Sequence, residues 1–428
     1  MTLTPYKETL ALRGIRSLLV VATLARIPIA AGPVVITLHV VQDLHRGYGL
    51  AGLATAAFTI GSSLGAPIMG RLMDGRGLRP VLVLTTVGEV TFWTSAQAMP
   101  YWAVLLAALV GGIVTLPAFA VARQSIAALA PESHRRAAFS LDSIATEISF
   151  MTGPALGVVV ATTVGGRPAM FALGAGILIS GIGLFWLDPP IRGRGEEPTS
   201  VAARVPRRSW VTPRFVAVLA VTMASTVVLS GTDVAIIGNL RGTGQVEWTG
   251  LVYAVWAAYS MLGGFAYGTG NRSLSPLTLL ASMAVVTVPV GLGGHQWWLL
   301  AVLMIPAGAL CAPTITATAD VVSRLAPAAA RGEAMGLHNS SLTVGVALGA
   351  PVAGAAMDAL SPPWGFAAVG GLGMLVALAV LPTELRRRAD ERRAAAAQRM
   401  IRLDTAVPAA GAVLAAEAEP SAGAEPAR

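Results

Sequence analysis

The chain has 428 residues, of which 54% are hydrophobic and only 12% are charged, and its net charge is +8. A soluble domain carries about 25% charged residues, and so much apolar side chain on its surface would form an adhesive patch. These figures exclude soluble enzymes, extracellular disulfide scaffolds and disordered chains.

Twelve apolar segments follow one another along the chain, each close to the roughly 20 residues that a membrane-spanning helix needs. Tryptophans stand at several of their ends, as at Trp102, Trp186 and Trp364, where an interfacial aromatic belt is expected. The pattern predicts an all-α membrane protein with twelve transmembrane helices. The predicted spans cover residues 14–40, 49–73, 80–99, 102–127, 138–164, 168–187, 215–238, 248–268, 277–294, 297–322, 335–357 and 364–381.

The basic residues set the predicted orientation of these spans. Of the 30 lysines and arginines, 26 fall in segments that share one side of the membrane if both termini lie on that side. Only Arg46, Arg167 and Arg241 fall in the opposite loops, and Arg26 lies inside a span. Because cytoplasmic loops collect lysine and arginine, we expect both termini in the cytoplasm and a multi-pass protein of a bacterial plasma membrane. The positive charge then belongs to the cytoplasmic face and not to a nucleic-acid partner.

One long polar segment divides the chain into two halves. Residues 189–213 are predicted to form a cytoplasmic central loop between a six-helix bundle at 1–188 and a second bundle at 214–383. Residues 384–428 form an arginine-rich cytoplasmic tail that we expect to be partly disordered. Leu129-Ala-Pro131 recurs 196 residues later as Leu325-Ala-Pro327 in the corresponding loop. This repeat predicts two pseudo-symmetric bundles, and a transporter built in this way binds its substrate at their interface.

The loop between spans two and three carries the most specific motif, Gly-Arg-Leu-Met-Asp-Gly-Arg-Gly-Leu-Arg-Pro, at 70–80. It resembles the corresponding loop of the major facilitator superfamily, although Gly75 and Leu78 replace basic residues of the family pattern. The resemblance implies that the acidic residue latches the first half to the N-terminus of span eleven in the outward-open state, since a helix N-terminus attracts a carboxylate. The alternative is that the loop only forms a tight turn and follows the positive-inside rule. The positions that fit are Gly70, Leu72, Asp74, Gly77 and Arg79.

Span five contains Gly153-Pro154-x-x-Gly157, which resembles the span-five motif of drug/proton antiporters in the same superfamily. Ser149 and Val158 stand where that motif usually has glycine. Glycine and proline loosen a helix and let neighbouring helices approach closely. The motif is therefore either a hinge for the movement between the halves or a site of ordinary close packing.

Charged residues inside the predicted spans are the main candidates for function. Arg26 lies near the middle of span one and Glu147 near the middle of span five, and a charge there costs roughly 2.5–3.5 kcal/mol. Because these two spans are neighbours in the superfamily fold, we expect Arg26 and Glu147 to meet. Glu147, with Asp142 as second candidate, is predicted to couple transport to protons, and Arg26 to be its charge partner or a substrate anchor. A purely structural ion pair is the alternative.

The sequence contains none of the motifs that are typical of a catalytic or metal-binding site. The chain contains no His-Glu-x-x-His, no phosphate-binding Gly-x-x-x-x-Gly-Lys and no cysteine–histidine cluster, and its single cysteine is Cys311. We therefore expect no enzyme, no metal and no cofactor. Other polar residues of the spans are further candidates for function, and an interfacial or packing role is favoured for each: Glu89, Arg123, Gln124, Asp233, Asp320 and His338.

The resemblance implies a monomeric secondary transporter that works by alternating access, with the lipid bilayer, a small-molecule substrate and the proton as its partners. The partial antiporter motif favours efflux of an amphipathic or drug-like compound, driven by the proton gradient. Proton-coupled uptake, as in sugar-type members, is the first alternative. The second is a transport-inactive sensor or scaffold that binds a partner through its arginine-rich tail.

Overall fold

The computed structural model describes residues 4–192, 205–269 and 274–386, together with 389 and 393, and this part of the chain is helical without strands. The helices are α1 (Thr4–Ala11), α2 (Ile15–Leu38), α3 (Tyr48–Arg76), α4 (Leu78–Ala96), α5 (Tyr101–Ile113), α6 (Ala118–Leu129), α7 (Glu132–Thr163), α8 (Gly166–Leu187), α9 (Arg207–Trp210), α10 (Pro213–Gly242), α11 (Thr249–Thr269), α12 (Pro276–Thr287), α13 (Trp297–Leu303), α14 (Ile305–Leu325), α15 (Arg331–Ala359) and α16 (Trp364–Arg386).

Eleven helical stretches of the described chain are long and apolar enough to cross a membrane. The one predicted span outside these eleven is the third, at 80–99, which forms α4, a 19-residue helix whose hydropathy is lowered by Arg79 and Glu89. The predicted all-α membrane fold is thus confirmed. The internal repeat also appears in the helix ends, because α6 ends at Leu129 and α14 ends at Leu325, at equivalent positions of the two halves.

The fourth predicted span is not one helix but two. It breaks between Ile113 and Ala118, where Pro117 supplies no N–H group, and continues as α6. Inside a membrane, freed backbone groups need partners within the protein. The buried Glu89 carboxylate provides one, since the N–H of Leu116 donates to its Oε2 at 2.7 Å. The tenth predicted span is likewise divided, into α13 and α14 at Met304.

The largest buried hydrophobic cluster is shared by the two halves. Met73 and Leu82 from the first half pack in it together with Phe215, Val322 and Met335 from the second. A second cluster, built around Trp93, lies entirely within the first half. The shared cluster surrounds the end of α3 where the Asp74 loop begins, so this end of the molecule is closed by apolar packing.

The described chain divides into two units, of which the first ends at Ala379 and the second begins at Val380. Of the second unit, the described residues 380–386, 389 and 393 are helical. The predicted tail beyond residue 393 lies outside the described residues, and so do 193–204 of the central loop. The predicted boundaries of the two bundles stay a prediction.

Candidate functional site

Asp74 lies buried in the last turn of α3, against the first turn of α15. Its Oδ1 accepts a 2.8 Å hydrogen bond from the backbone N–H of Gly332, and its Oδ2 accepts one of the same length from Glu333. Gln124 adds a third bond, of 3.2 Å, to Oδ1. The first N–H groups of a helix have no partner within the helix and form its positive end. The carboxylate therefore joins the two halves at a site suited to an anion.

Two glycines allow this approach of α3 to α15. A Cβ added to Gly70 would overlap the carbonyl oxygen of Gly332, and a Cβ added to Gly332 would lie 2.5 Å from the carbonyl oxygen of Gly70. Both distances are shorter than any real side chain tolerates. The contact between Asp74 and α15 thus depends on glycine at both positions.

The other motif residues have different surroundings. Gly77 has φ of +85° and directly precedes α4, which fits the tight turn predicted for it. The Nε of Arg79 lies 3.1 Å from Oδ2 of Asp188, and both side chains are exposed. Leu72 packs against the shared hydrophobic cluster. The turn and the Asp74 contact therefore coexist in one loop.

Arginines on both sides of the central loop contact Asp74 and Glu333 at this junction of α3 and α15. The Nη2 of Arg192 donates to the carbonyl oxygen of Asp74 at 2.5 Å, and Arg207 forms an ion pair with Glu333. Arg71 lies 3.7 Å from Glu333 on its other oxygen. In the sequence analysis these arginines served only to predict the topology. The one feature of the sequence that could have predicted their pairing is Glu333, an acidic residue at the start of span eleven.

Arg26 pairs with Asp142 and not with Glu147, so the predicted meeting of Arg26 and Glu147 is wrong. The Nη2 of Arg26 lies 2.6 Å from Oδ1 of Asp142, and its Nη1 donates to the Thr146 hydroxyl at 3.1 Å. Asp142, Thr146 and Ser149 share one face of α7, which packs on α2, whereas Glu147 lies about 100° further round than Thr146. The helix rotation separates the two carboxylates.

The Arg26–Asp142 pair extends into the second half. The Nε of Arg123 lies 3.4 Å from Oδ2 of Asp142, and its Nη1 lies 3.2 Å from Nδ1 of His338. Because arginine can only donate, Nδ1 accepts this bond and the imidazole is neutral, with its proton on Nε2. That nitrogen lies 3.1 Å from the hydroxyl of Thr318 and donates to it. Arg123 and His338, assigned structural roles from the sequence, therefore link the halves through a buried polar chain.

Glu147 faces the second half across the α7–α11 contact. Its Oε1 accepts a hydrogen bond from the Ser260 hydroxyl of α11, and its Oε2 is buried without a hydrogen-bond partner in the described chain. Glu147 forms no ion pair in the part of the chain that the structure covers.

The predicted hinge residues lie in tight contact with α2. A Cβ on Gly153 would be 2.5 Å from the carbonyl oxygen of Ile27, and one on Gly157 would be 3.2 Å from Val35 Cγ2. The helix runs without a break through Pro154. The structure therefore has the close packing that the sequence offered as the alternative, and the hinge stays a prediction.

Hydrogen bonds between the halves gather at the end of the molecule that carries Asp74. The Tyr6 hydroxyl donates to the carbonyl oxygen of Phe265 at 2.7 Å, and the hydroxyls of Ser143 and Thr316 lie 2.8 Å apart. The Ser340 hydroxyl donates to the carbonyl oxygen of Ser63 at 2.5 Å. Residues 148–163 of α7, all of them described, make no hydrogen bond to the second half. Along α7, Glu147 is thus the last residue that forms a hydrogen bond to the second half in the described chain.

Comparisons with known proteins place the chain in a family. The family model described as Major Facilitator Superfamily matches residues 18–286 and 269–418. A human organic anion transporter has 17% identity and a TM-score of 0.66, over 86% of this chain and 99% of the other. A proton:xylose symporter has 15% identity and a TM-score of 0.62, over 85% and 94%. A bacterial homologue of the iron transporter ferroportin, in its outward-facing state, has 16% identity and a TM-score of 0.67, over 86% and 98%. No curated protein sequence matches the chain.

Proposed function

The chain belongs to the major facilitator superfamily, and from this premise we propose that it exports a small amphipathic molecule by alternating access, in exchange for protons. Its fold is that of multi-pass transporters and not of an enzyme. The solved relatives are named for different solutes, so the substrate and the direction have to be argued from this chain.

The observation that carries the proposal is the position of Glu147. One of its oxygens bonds to Ser260 of the other half, and the second is buried without a partner in the described chain. A hydrogen bond to a carboxylate is roughly twice as strong as one between neutral groups. Proton uptake by Glu147 would therefore weaken a contact that holds α7 to α11, and proton release would restore it. Such a group converts a proton gradient into movement of the halves.

The Asp74 contact supports the other part of the cycle. It closes the end of the molecule that the distribution of basic residues assigns to the cytoplasm. With that end closed, the binding region would face outward, and proton entry at Glu147 would favour opening toward the cytoplasm. Efflux is preferred over uptake because Gly153, Pro154 and Gly157 resemble the antiporter motif.

The test is transport of a panel of amphipathic compounds into everted membrane vesicles, with and without a proton gradient. We expect gradient-driven accumulation by the wild type. Glu147→Gln should abolish that accumulation while keeping exchange of compound across the membrane without a gradient. Glu247→Gln, which changes an exposed carboxylate in the short 3-10 helix before α11, is the matched control and should behave as the wild type.

Two results would contradict the proposal. Full gradient dependence in Glu147→Gln would remove the coupling role. Accumulation in everted vesicles that requires a proton gradient of the opposite direction would favour proton-coupled uptake instead. So would a deletion strain that starves for a nutrient.

A further inference from the structure

The buried charges of the cluster formed by Arg26, Asp142 and Arg123 do not balance. Asp142 is 1% exposed and lies between the guanidinium groups of Arg26 and Arg123, which are 0% and 2% exposed. His338 adds no charge, because its Nδ1 accepts a hydrogen bond from Arg123. In the described chain no second carboxylate pairs with either arginine. The cluster therefore holds one more positive charge than it neutralises, in a place where an uncompensated charge is costly.

Arg26 keeps one donor free. Its two terminal nitrogens bond to Asp142 and Thr146, whereas its Nε is buried and has no hydrogen-bond partner in the described chain. The guanidinium carbon lies 4.8 Å from the centre of the Phe119 ring. A buried guanidinium with a free N–H group and excess positive charge is suited to an anionic ligand.

Aromatic rings lead from the surface to this guanidinium. Phe119 stacks on Phe150, with ring centres 5.8 Å apart, and Phe150 is 56% exposed. The Phe119 ring therefore separates Arg26 from a side chain that is half-exposed at the surface of the protein. A flat apolar ligand could pack against the same two rings, since aromatic surfaces stack in this manner.

The break in the fourth span adds a second electrostatic feature at this point. Phe119 is the second residue of α6, so the positive end of that helix lies beside Arg26. The freed N–H group of Leu116 already bonds to Glu89, but the helix dipole still favours a negative charge near its first turn. Two independent sources of positive potential thus coincide at Phe119.

We propose that Arg26 binds the anionic group of the transported molecule, a carboxylate or sulfonate carried on an aromatic or otherwise apolar body that packs on Phe119 and Phe150. The inference rests on the proposed transport function and specifies its substrate class as amphipathic anions. Movement of Phe119 would admit the anion, which would supply the negative charge that the cluster lacks. Glu147, on another face of α7, remains free to carry the proton.

The test measures binding to the purified full chain in nanodiscs with two radiolabelled probes of matched shape. Naphthalene-1-sulfonate carries a permanent negative charge, and 1-naphthylmethyl-trimethylammonium a permanent positive charge. We expect the wild type to bind the sulfonate at least about tenfold more tightly than the ammonium, as the loss of one charge-assisted hydrogen bond implies. Arg26→Gln should remove this preference, and Arg26→Lys should restore part of it.

The control is Arg241→Gln, which removes an exposed arginine at the end of α10 and should keep the wild-type preference. Arg26→Gln leaves Asp142 paired with Arg123 as a neutral couple, so the variant is expected to fold. Equal binding of the two probes by the wild type would overturn the inference without any variant. A wild-type preference for the sulfonate that survives in Arg26→Gln would overturn it as well.

These outcomes are separable from failure of the proposed function. Gradient-driven, Glu147-dependent transport of cationic or uncharged compounds, without preference for the sulfonate, would sustain the transport function and overturn the anion site. Arg26-dependent sulfonate binding by a protein that never responds to a proton gradient would sustain the anion site and overturn proton coupling.

Discussion

Two carboxylates five residues apart on α7 have opposite environments. Asp142 is enclosed by two guanidinium groups on the face that packs against α2, and both of its oxygens have partners. Glu147 faces α11, has a single hydroxyl partner and keeps one buried oxygen unpaired. The first carboxylate is held in place by two guanidinium groups, whereas the second keeps a spare oxygen at the contact between the halves. We propose a structural role for Asp142 and the coupling role for Glu147.

The largest expected effect is loss of the structural carboxylate. Asp142→Asn would leave Arg26 and Arg123 buried without their counter-charge, and removal of one partner from a buried ion pair costs about 3–5 kcal/mol. We expect a large fall in the thermal stability of the purified protein. Glu147→Gln, measured in parallel, should change stability little. Equal losses in the two variants would contradict the distinction between the two faces.

The next effect concerns the contact between Asp74 and the start of α15. Asp74→Asn would keep one acceptor for the N–H groups of Gly332 and Glu333 but lose the charge, and a hydrogen bond to a charged group contributes about 1.5–3 kcal/mol. We expect the closed end to open more often, measured as faster alkylation of a cysteine introduced at Ser340. Asp188→Asn changes only the exposed pair with Arg79 and serves as control. Unchanged alkylation in Asp74→Asn would contradict a latching role.

Packing on the structural face gives a smaller effect. Gly153→Ala places a methyl group against the carbonyl oxygen of Ile27 and should destabilise the protein by about 1–3 kcal/mol. Gly354 lies in α15 with no atom near its missing side chain, so Gly354→Ala should be neutral or stabilise by up to about 1 kcal/mol. Thermal unfolding of both variants checks the pair. Unchanged thermal stability of Gly153→Ala would show that α7 and α2 pack more loosely than the structure indicates.

The last prediction concerns the partner of Glu147. Ser260→Ala removes one hydroxyl bond to a carboxylate, and a hydrogen bond to a charged group contributes about 1.5–3 kcal/mol. We expect a modest fall in thermal stability together with reduced gradient dependence of transport in everted vesicles. Ser230→Ala, which removes an exposed hydroxyl bonded within the second half, is the matched control. Normal coupling in Ser260→Ala would indicate that Glu147 acts without this contact.

The fold was more predictable than the partners of the charged residues. Hydropathy located the eleven apolar stretches that are long enough to cross a membrane, together with α4, and the resemblance at Asp74 anticipated an anion facing the start of span eleven. The pairing of Arg26 was predicted wrongly because span adjacency does not determine helix rotation, and rotation decided between Asp142 and Glu147. The break before Ala118 was also missed, since its apolar residues continue the hydrophobic run and only a distant carboxylate, Glu89, satisfies the freed backbone.

The central claim, that the charge state of Glu147 controls contact between the halves, is tested most directly by a distance measurement. Spin labels at Arg76→Cys and Leu274→Cys, two exposed positions at the Asp74 end, would be introduced after replacing the single cysteine, Cys311, by alanine. Double electron–electron resonance in nanodiscs should show the distance increasing as the pH falls. In Glu147→Gln the distance distribution should not change with pH and should favour the longer distance, because a neutral group replaces the carboxylate. A Glu147→Gln protein that keeps the full pH response of the wild type would contradict the account.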